Sequence, residues 1–287
     1  MYIYDLRISM SKHRTSIEFP VELWEALKKH VPARKRSSFI LEAVKEKLMR
    51  ESLKCLILCG GRGTGLTPLT FSIPKSMMPI GYKPIIEHII LYLKKQGVYN
   101  FILAIGYLGE HLIKYLGDGK SLGVTIDYSI EKVPLGTAGA VKNAEKKFTN
   151  TFLTVNGDIL FTGLDISSLV EFHKDKGGVA TIVLTRVEDA RRYGLVSIDE
   201  ENRVIAFREK PKQQVPGFIN AGIYVFEPAI FDYIPPDRPS SLEEDVFPEL
   251  ADQNKLYAYI HNGYWIDIGD ALDYEKACKD FYNGVFS

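Results

Sequence analysis

A short apolar run, Cys55-Leu56-Ile57-Leu58, breaks off into Cys59-Gly60-Gly61-Arg62-Gly63-Thr64-Gly65-Leu66-Thr67-Pro68, and Pro74-Lys75 follows a few residues later. The run has the length and composition of a buried strand. Four glycines after it leave backbone N–H groups free to turn inward and cradle an anion, and Lys75 adds a full positive charge. The carboxyl end of a parallel strand is the usual ligand site of an open α/β sheet, so a chain built this way can hold a triphosphate there. Two better-known phosphate loops are excluded. The dinucleotide fingerprint needs a glycine where Leu66 stands and a helix at once, whereas Pro68, Pro74 and Pro79 keep the next stretch irregular. The Gly-Lys-Ser/Thr of the P-loop is absent.

Beyond position 53, strand-like and helix-like stretches alternate. Residues 101–105, 124–128 and 151–155 read as strands, and 85–96, 110–116 and 138–147 as helices between them. That order predicts an α/β fold, a Rossmann-like mixed and mainly parallel sheet flanked by helices. Residues 180–185, 195–198, 204–208 and 223–226 make the later half richer in strands, which predicts antiparallel additions. No six-residue repeat of a left-handed β-helix is present.

The zero net charge hides an asymmetry. Residues 1–50 hold 11 Lys/Arg against 6 Asp/Glu, and the rest holds 25 against 30. Within the basic part, 13–19 alternate as a short strand, 21–31 carry an apolar stripe of Leu23, Trp24, Leu27 and Val31, and 37–48 carry a second stripe. A strand and two helices of this size cannot bury a core alone. The segment 1–52 resembles a small ribbon-helix-helix module preceding a body at 53–287, and this resemblance implies a homodimer at least. In such modules the paired strands face the DNA major groove, which here presents Arg14 and Ser16 beside Lys12. Dimerisation is the favoured role and DNA contact the secondary one. Cys55, Cys59 and Cys278 are too few for a disulfide framework or zinc site and read as core residues of a reducing cytoplasm.

The glycine run, with Met78-Pro79-Ile80 and Lys83-Pro84-Ile85-Ile86, resembles the signature of the sugar-1-phosphate nucleotidyltransferases. Further motifs follow in that family's order: Pro134-Leu135-Gly136-Thr137-Ala138-Gly139, Asn156-Gly157-Asp158, Glu209-Lys210-Pro211, Asn220-Ala221-Gly222 and Trp265-Ile266-Asp267-Ile268-Gly269. The resemblance covers residue 53 to the C-terminus, and the mannose-1-phosphate guanylyltransferases are the most similar subgroup. It implies Mg²⁺-dependent transfer of a nucleotidyl group from an NTP, GTP favoured, to a sugar 1-phosphate, mannose 1-phosphate favoured. Uridylyl or thymidylyl transfer to glucose 1-phosphate and GDP-heptose formation are alternatives within the class. A nucleotide-sugar sensor coupled to DNA binding is the alternative outside it.

By the same resemblance, Lys75, Arg62 and Asp158 form the catalytic set. Leu58, Gly60, Gly61, Gly63, Thr64, Gly136, Thr137 and Gly157 line the nucleotide, and Gly194, Glu209, Lys210, Asn220 and Gly222 hold the sugar phosphate. Asp158 and Asp267 each follow an apolar strand, and two carboxylates suit Mg²⁺, which binds through one or two of them plus substrate phosphates. One departure stands out. The family's Gly-Thr-Arg-Leu is Gly63-Thr64-Gly65-Leu66 here, so the arginine expected at the pyrophosphate is missing, and Arg62 is the candidate substitute.

Overall fold

A strand buried on both faces needs apolar side chains on both, and β1 (Lys54–Leu58) has them. The computed structural model describes residues 18–41, 43–44, 53–208, 211–236 and 238–286. Lys12, Arg14, Ser16, Glu209 and Lys210 lie outside the described residues, as does most of the strand expected over 13–19. Glu18 and Phe19 lead without regular structure into α1 (Val21–His30).

β1 lies between two parallel neighbours, β4 (Asn100–Ile105) and β6 (Phe152–Asn156), with Leu58 opposite Ala104 and Asn156. β5 (Thr125–Ile130) continues the parallel set beyond β4. The other side is antiparallel: β11 (Gly217–Phe226) pairs with β6, and β8 (Ala180–Val187) pairs with β11. β12 (Leu256–His261) runs parallel to β8, and β9 (Leu195–Ile198) with β10 (Val204–Arg208) forms a hairpin beside β11. Two small ribbons complete the described strands, β2 (Pro79–Ile80) with β3 (Lys83–Pro84), and β7 (Ile159–Phe161) with β13 (Trp265–Asp267). The mixed, mainly parallel sheet with antiparallel additions is the predicted architecture.

Alternation along β1 sorts its side chains into two cores. Cys55 and Ile57 join α2 (Ile85–Lys95), whose Ile85, Ile86, Ile89, Ile90 and Leu93 share one helical face. Leu56 joins the opposite core with α4 (Gly136–Asn143) and α6 (Phe247–Asp252). α3 (Gly109–Leu116), α5 (Ile166–Lys176) and α7 (Ala271–Tyr282) complete the helical layers of the body. The helix expected over 138–147 is shorter than predicted: after Asn143 the chain tightens to a 3₁₀ turn at Glu145–Lys147, and Phe148 drops onto Phe152 with ring centroids 4.1 Å apart. Cys55, Cys59 and Cys278 are free thiols, and burial pushes that of Cys59 up to about 12. Among the described residues no helix is long and apolar enough to cross a membrane.

In the N-terminal part only Leu27 and Val31 are buried among the described apolar residues, while Leu23, Phe39 and Val44 are 54%, 50% and 44% exposed. Together with Phe19, Ile40 and Ala43 they line one apolar groove.

Candidate active site

The glycine loop leaves the sheet where three strands are tied together: Cys59 N–H donates to Ala104 O (2.8 Å) and Gly157 N–H to Leu58 O (2.9 Å). From Gly60 to Thr64 no backbone N–H donates to an acceptor among the described residues. Five consecutive unspent donors at a strand's carboxyl end form an anion cradle. Gly63 takes a left-handed φ of 61°, and Thr70 Oγ1 donates to its carbonyl (2.9 Å), fixing the loop's return. The prolines produce three 3₁₀ turns, Thr64–Leu66, Leu69–Phe71 and Lys75–Met77, instead of a helix.

Lys75 opens the third turn, and its ammonium meets both expected metal ligands. Nζ donates to Asp158 Oδ2 at 2.6 Å and lies 3.8 Å from Asp267 Oδ1. Asp158 follows β6, and the β7–β13 ribbon places Asp267 opposite Ile159, so the two carboxylates are neighbours although far apart in sequence. Burial works against the Lys75 charge, but Asp158 and Asp267 outweigh it and raise its pKa. Burial, then the negative charge of Asp158, push Asp267 up from 3.8 to about 6. Two hard oxygen donors converging from different strands fit a Mg²⁺ ion whose remaining ligands are non-protein oxygens.

The raised Asp267 pKa has a stability consequence. The folded state binds this proton more tightly than the unfolded chain, so the cost of ionising Asp267 is absent below about pH 4, appears as pH rises, and is complete above about pH 6. Asp267→Asn removes that cost. Its Tm is expected to exceed wild type by roughly 2–5 °C at pH 8 and to match it at pH 4, read by calorimetry at both pH values. A lower Tm at pH 8 would show that the ion pair with Lys75 dominates.

Above these groups a cleft of about 290 Å³ is lined by Leu58, Gly60, Gly61, Glu131, Leu135 and Gly157 among others. Glu131 was not singled out in the sequence, although it stands just before Pro134-Leu135-Gly136. Its Oε1 lies 2.7 Å from where a β-carbon on Gly60 would be, so the carboxylate rests against the bare backbone of the loop. Oε2 accepts from Leu135 N (3.2 Å), and burial raises the carboxyl above its ordinary range. Asn156 lines the same cleft, and its buried Oδ1 has no partner among the described residues.

Gly136 and Thr137 line the same cleft, and they and Asn220 also make contacts within the framework. Thr137 Oγ1 donates to Glu243 Oε2 (2.9 Å) and accepts from Leu242 N (2.8 Å), so its hydroxyl is spent inside the protein. Gly136, at φ 74°, would carry a β-carbon 2.4 Å from Ser240 O, and Ala138 N donates to that same carbonyl. Its missing side chain thus admits the Ser240 backbone on one side, while the residue lines the cleft. Asn220 Oδ1 accepts from Gly222 N (3.0 Å) and its Nδ2 donates to Tyr224 Oη (2.9 Å), which fixes the amide and leaves one N–H and one lone pair for a ligand. Gly222, at φ 73°, holds the kink of β11 beside Asn156, and Gly194 is exposed just before β9.

Gly65 is explained by close approach. A β-carbon there would lie 2.1 Å from Gly269 O, so the turn after β13 occupies the space that a side chain at 65 needs. Arg62 is exposed and makes no ion pair or hydrogen bond among the described residues.

The body of the chain is similar to known proteins. A mannose-1-phosphate guanylyltransferase from Mycobacterium tuberculosis is 40% identical over 80% of this chain and 65% of its own length. A probable mannose-1-phosphate guanylyltransferase 1 from Oryza sativa subsp. japonica is 43% identical over 77% and 63%. The chain therefore spans just under two thirds of the length of these curated relatives. Among solved structures, HddC from Yersinia pseudotuberculosis superposes with a TM-score of 0.70 at 35% identity, over 79% of this chain and 99% of that one. A putative glucose-1-phosphate thymidylyltransferase from Bacillus anthracis, in complex with a sucrose, reaches 0.71 at 26% identity over 79% and 94%. The family described as nucleotidyl transferase matches residues 54–283. With four fifths of its length accounted for in this way, the chain belongs to the nucleotidyl transferase family.

Proposed function

We propose that residues 53–287 catalyse transfer of a guanylyl group from GTP to a sugar 1-phosphate, mannose 1-phosphate favoured, with release of pyrophosphate. The observation that carries this reading is the convergence of Lys75, Asp158 and Asp267 beside the unspent N–H groups of the glycine loop. An oxygen of the sugar phosphate attacks the α-phosphorus, and the bond to the pyrophosphate oxygen breaks in line. No general base is needed, because the attacking phosphate is ionised near neutral pH. The loop N–H groups and Lys75 hold and neutralise the nucleotide phosphates, and the framework contacts of Asn220 and Thr137 keep the two substrate walls rigid. Asp158 and Asp267 would hold Mg²⁺, whose Lewis acidity neutralises charge on the reacting phosphates. Lys210 and Glu209, on the sugar side by resemblance, complete the acceptor site.

Glu131 supports guanine as the base. A carboxylate accepts from both donors of guanine's edge, N1–H and the 2-amino group, whereas uracil and thymine offer one donor between two carbonyl oxygens that it repels. The relatives named as guanylyltransferases and a structure of HddC complexed with GMP-PN point the same way. The test is pyrophosphate release with mannose 1-phosphate and Mg²⁺ across GTP, UTP, dTTP, ATP and CTP. GTP is expected to dominate, and Glu131→Gln to reduce its advantage over UTP by about 10–100-fold. Preference for UTP or dTTP in wild type would overturn the base assignment.

Residues 1–52 act, on this reading, as a separate dimerisation module of a cytoplasmic protein. The groove from Phe19 to Val44 supports it, because so apolar a surface needs a cover, and a second copy brings a matching one. Sedimentation of the full chain and of a chain lacking residues 1–52 checks this: dimer and monomer are expected, and a dimer in both would refute it.

A further inference from the structure

The segment from Ser240 to Glu243 is tied to both sides of the site. Ser240 N donates to Leu135 O (2.8 Å) and Ser240 O accepts from Ala138 N (3.0 Å), which grips the cleft wall whose Leu135 N holds Glu131. The chain then opens into one wide π turn, Leu242–Val246, capped by Ser241 Oγ, which accepts from Glu243 N and Glu244 N (3.2 Å each). Such turns are rare and occur frequently at functional sites. This one brings the Glu243 carboxylate to three hydroxyls. Thr137 Oγ1 and Ser241 Oγ donate to Oε2 (2.9 Å each), and Tyr224 Oη donates to Oε1 (3.2 Å). Thr137 lines the cleft, and the fully buried Tyr224 carries the contact on to Asn220.

We propose that Glu243 is a positioning residue shared by both substrates: it fixes the nucleotide wall through Thr137 and the sugar wall through Tyr224 and Asn220. The inference rests on the transferase reading above, with Asn220 on its sugar side. An ionised carboxylate only accepts, so Glu243 sets the direction of every hydrogen bond that reaches it. Tyr224 donates to it and accepts from Asn220 Nδ2 (2.9 Å). That turns Asn220 Oδ1 onto Gly222 N (3.0 Å), at the kink of β11, and leaves one N–H and one lone pair of the amide for a sugar hydroxyl, which can both donate and accept. On the other arm Thr137 donates to Oε2 and accepts from Leu242 N (2.8 Å), which ties the start of α4 to the π turn.

The two arms respond differently to one substitution. Two hydroxyls converge on Oε2 and one on Oε1, so Glu243→Gln keeps its carbonyl oxygen at Thr137 and Ser241 and turns its NH₂ to Tyr224. Tyr224 Oη then meets a donor on each side, and the direction that holds Asn220 is lost. Calorimetric titration of the full chain in Mg²⁺ buffer, with GMP and with mannose 1-phosphate, compares wild type with Glu243→Gln, Tyr224→Phe and Thr137→Val. Glu243→Gln and Tyr224→Phe are each expected to weaken mannose 1-phosphate by about 10-fold and to leave GMP within about threefold, and Thr137→Val to do the opposite. A brace with no part in positioning lowers Tm and touches both ligands alike. Equal weakening of the two ligands in any of the three variants would overturn the assignment. So would unchanged affinity for mannose 1-phosphate in both Glu243→Gln and Tyr224→Phe. Each variant is compared across two ligands on one preparation, so a loss of folded protein does not imitate the split. The two readings fail separately. A chain that shows the split yet transfers no guanylyl group would refute the transferase and keep the role of Glu243. Turnover with both ligands weakened alike would do the reverse.

Discussion

Lys75→Ala is expected to lower kcat by about 10²–10³-fold, the usual loss when one preorganised charge donor is removed from a transition state. The ammonium does two things that alanine cannot. It offers positive charge where the nucleotide phosphates enter, and it sits between Asp158 and Asp267, which otherwise repel each other and the incoming phosphates. Without it the metal-free Asp267 carboxyl loses a neighbouring positive charge that lowers its pKa, and is pushed further up. The fold has little at stake, since both cores are built elsewhere, from β1, α2, α4 and α6. Steady-state kinetics, with circular dichroism as the folding control, read the loss. Retained kcat in a folded variant would remove Lys75 from the mechanism.

The second large effect concerns position 65. Putting back the arginine that the resemblance calls for, Gly65→Arg, is expected to lower activity by about 10²-fold, as misplacement of reacting groups by an ångström does, and to lower Tm. The reason is steric and comes before any benefit of charge. A β-carbon 2.1 Å from a carbonyl oxygen forces the Gly269 turn to move, and that turn directly follows Asp267 and leads into the cap of α7. Gly65→Ala shares the collision without the charge, so both variants are expected to fall together. An increase in turnover for Gly65→Arg would show that the turn yields and that the missing guanidinium limits this protein.

The parts of the fold that obey local rules were legible. The apolar run of β1, the prolines that replace a helix by short turns, and the isoleucine stripe of α2 all lie where pattern and propensity put them. Asp158 and Asp267 were singled out because each follows an apolar run within a specific motif, and Lys75 because it follows the glycine loop; the structure brings the three together. What escaped the sequence depends on tertiary approach. Gly136 and Thr137 line the cleft, and only the fold shows that they also meet the segment from Ser240 to Glu243. Glu131 had no motif of its own; its place against Gly60 follows from β1, β4 and β5 running side by side. β12 alternates Tyr257 and Tyr259 with Ala258 and Ile260, a pattern a strand search could have caught. The fit of Gly65 against Gly269 carries no local signal, since its partners lie near opposite ends of the body.

The β7–β13 ribbon sets when the protein becomes competent during its own synthesis. The glycine loop, Lys75, Glu131 and Asp158 all emerge from the ribosome before β8 exists, and they can gather around β1, β4 and β6 early. Asp267 arrives only with the last strand and must reach back to pair beside Ile159. A nascent or truncated chain ending before Trp265 therefore carries a half-built site in which Asp158 alone opposes Lys75, able to attract a nucleotide but unable to complete the carboxylate pair.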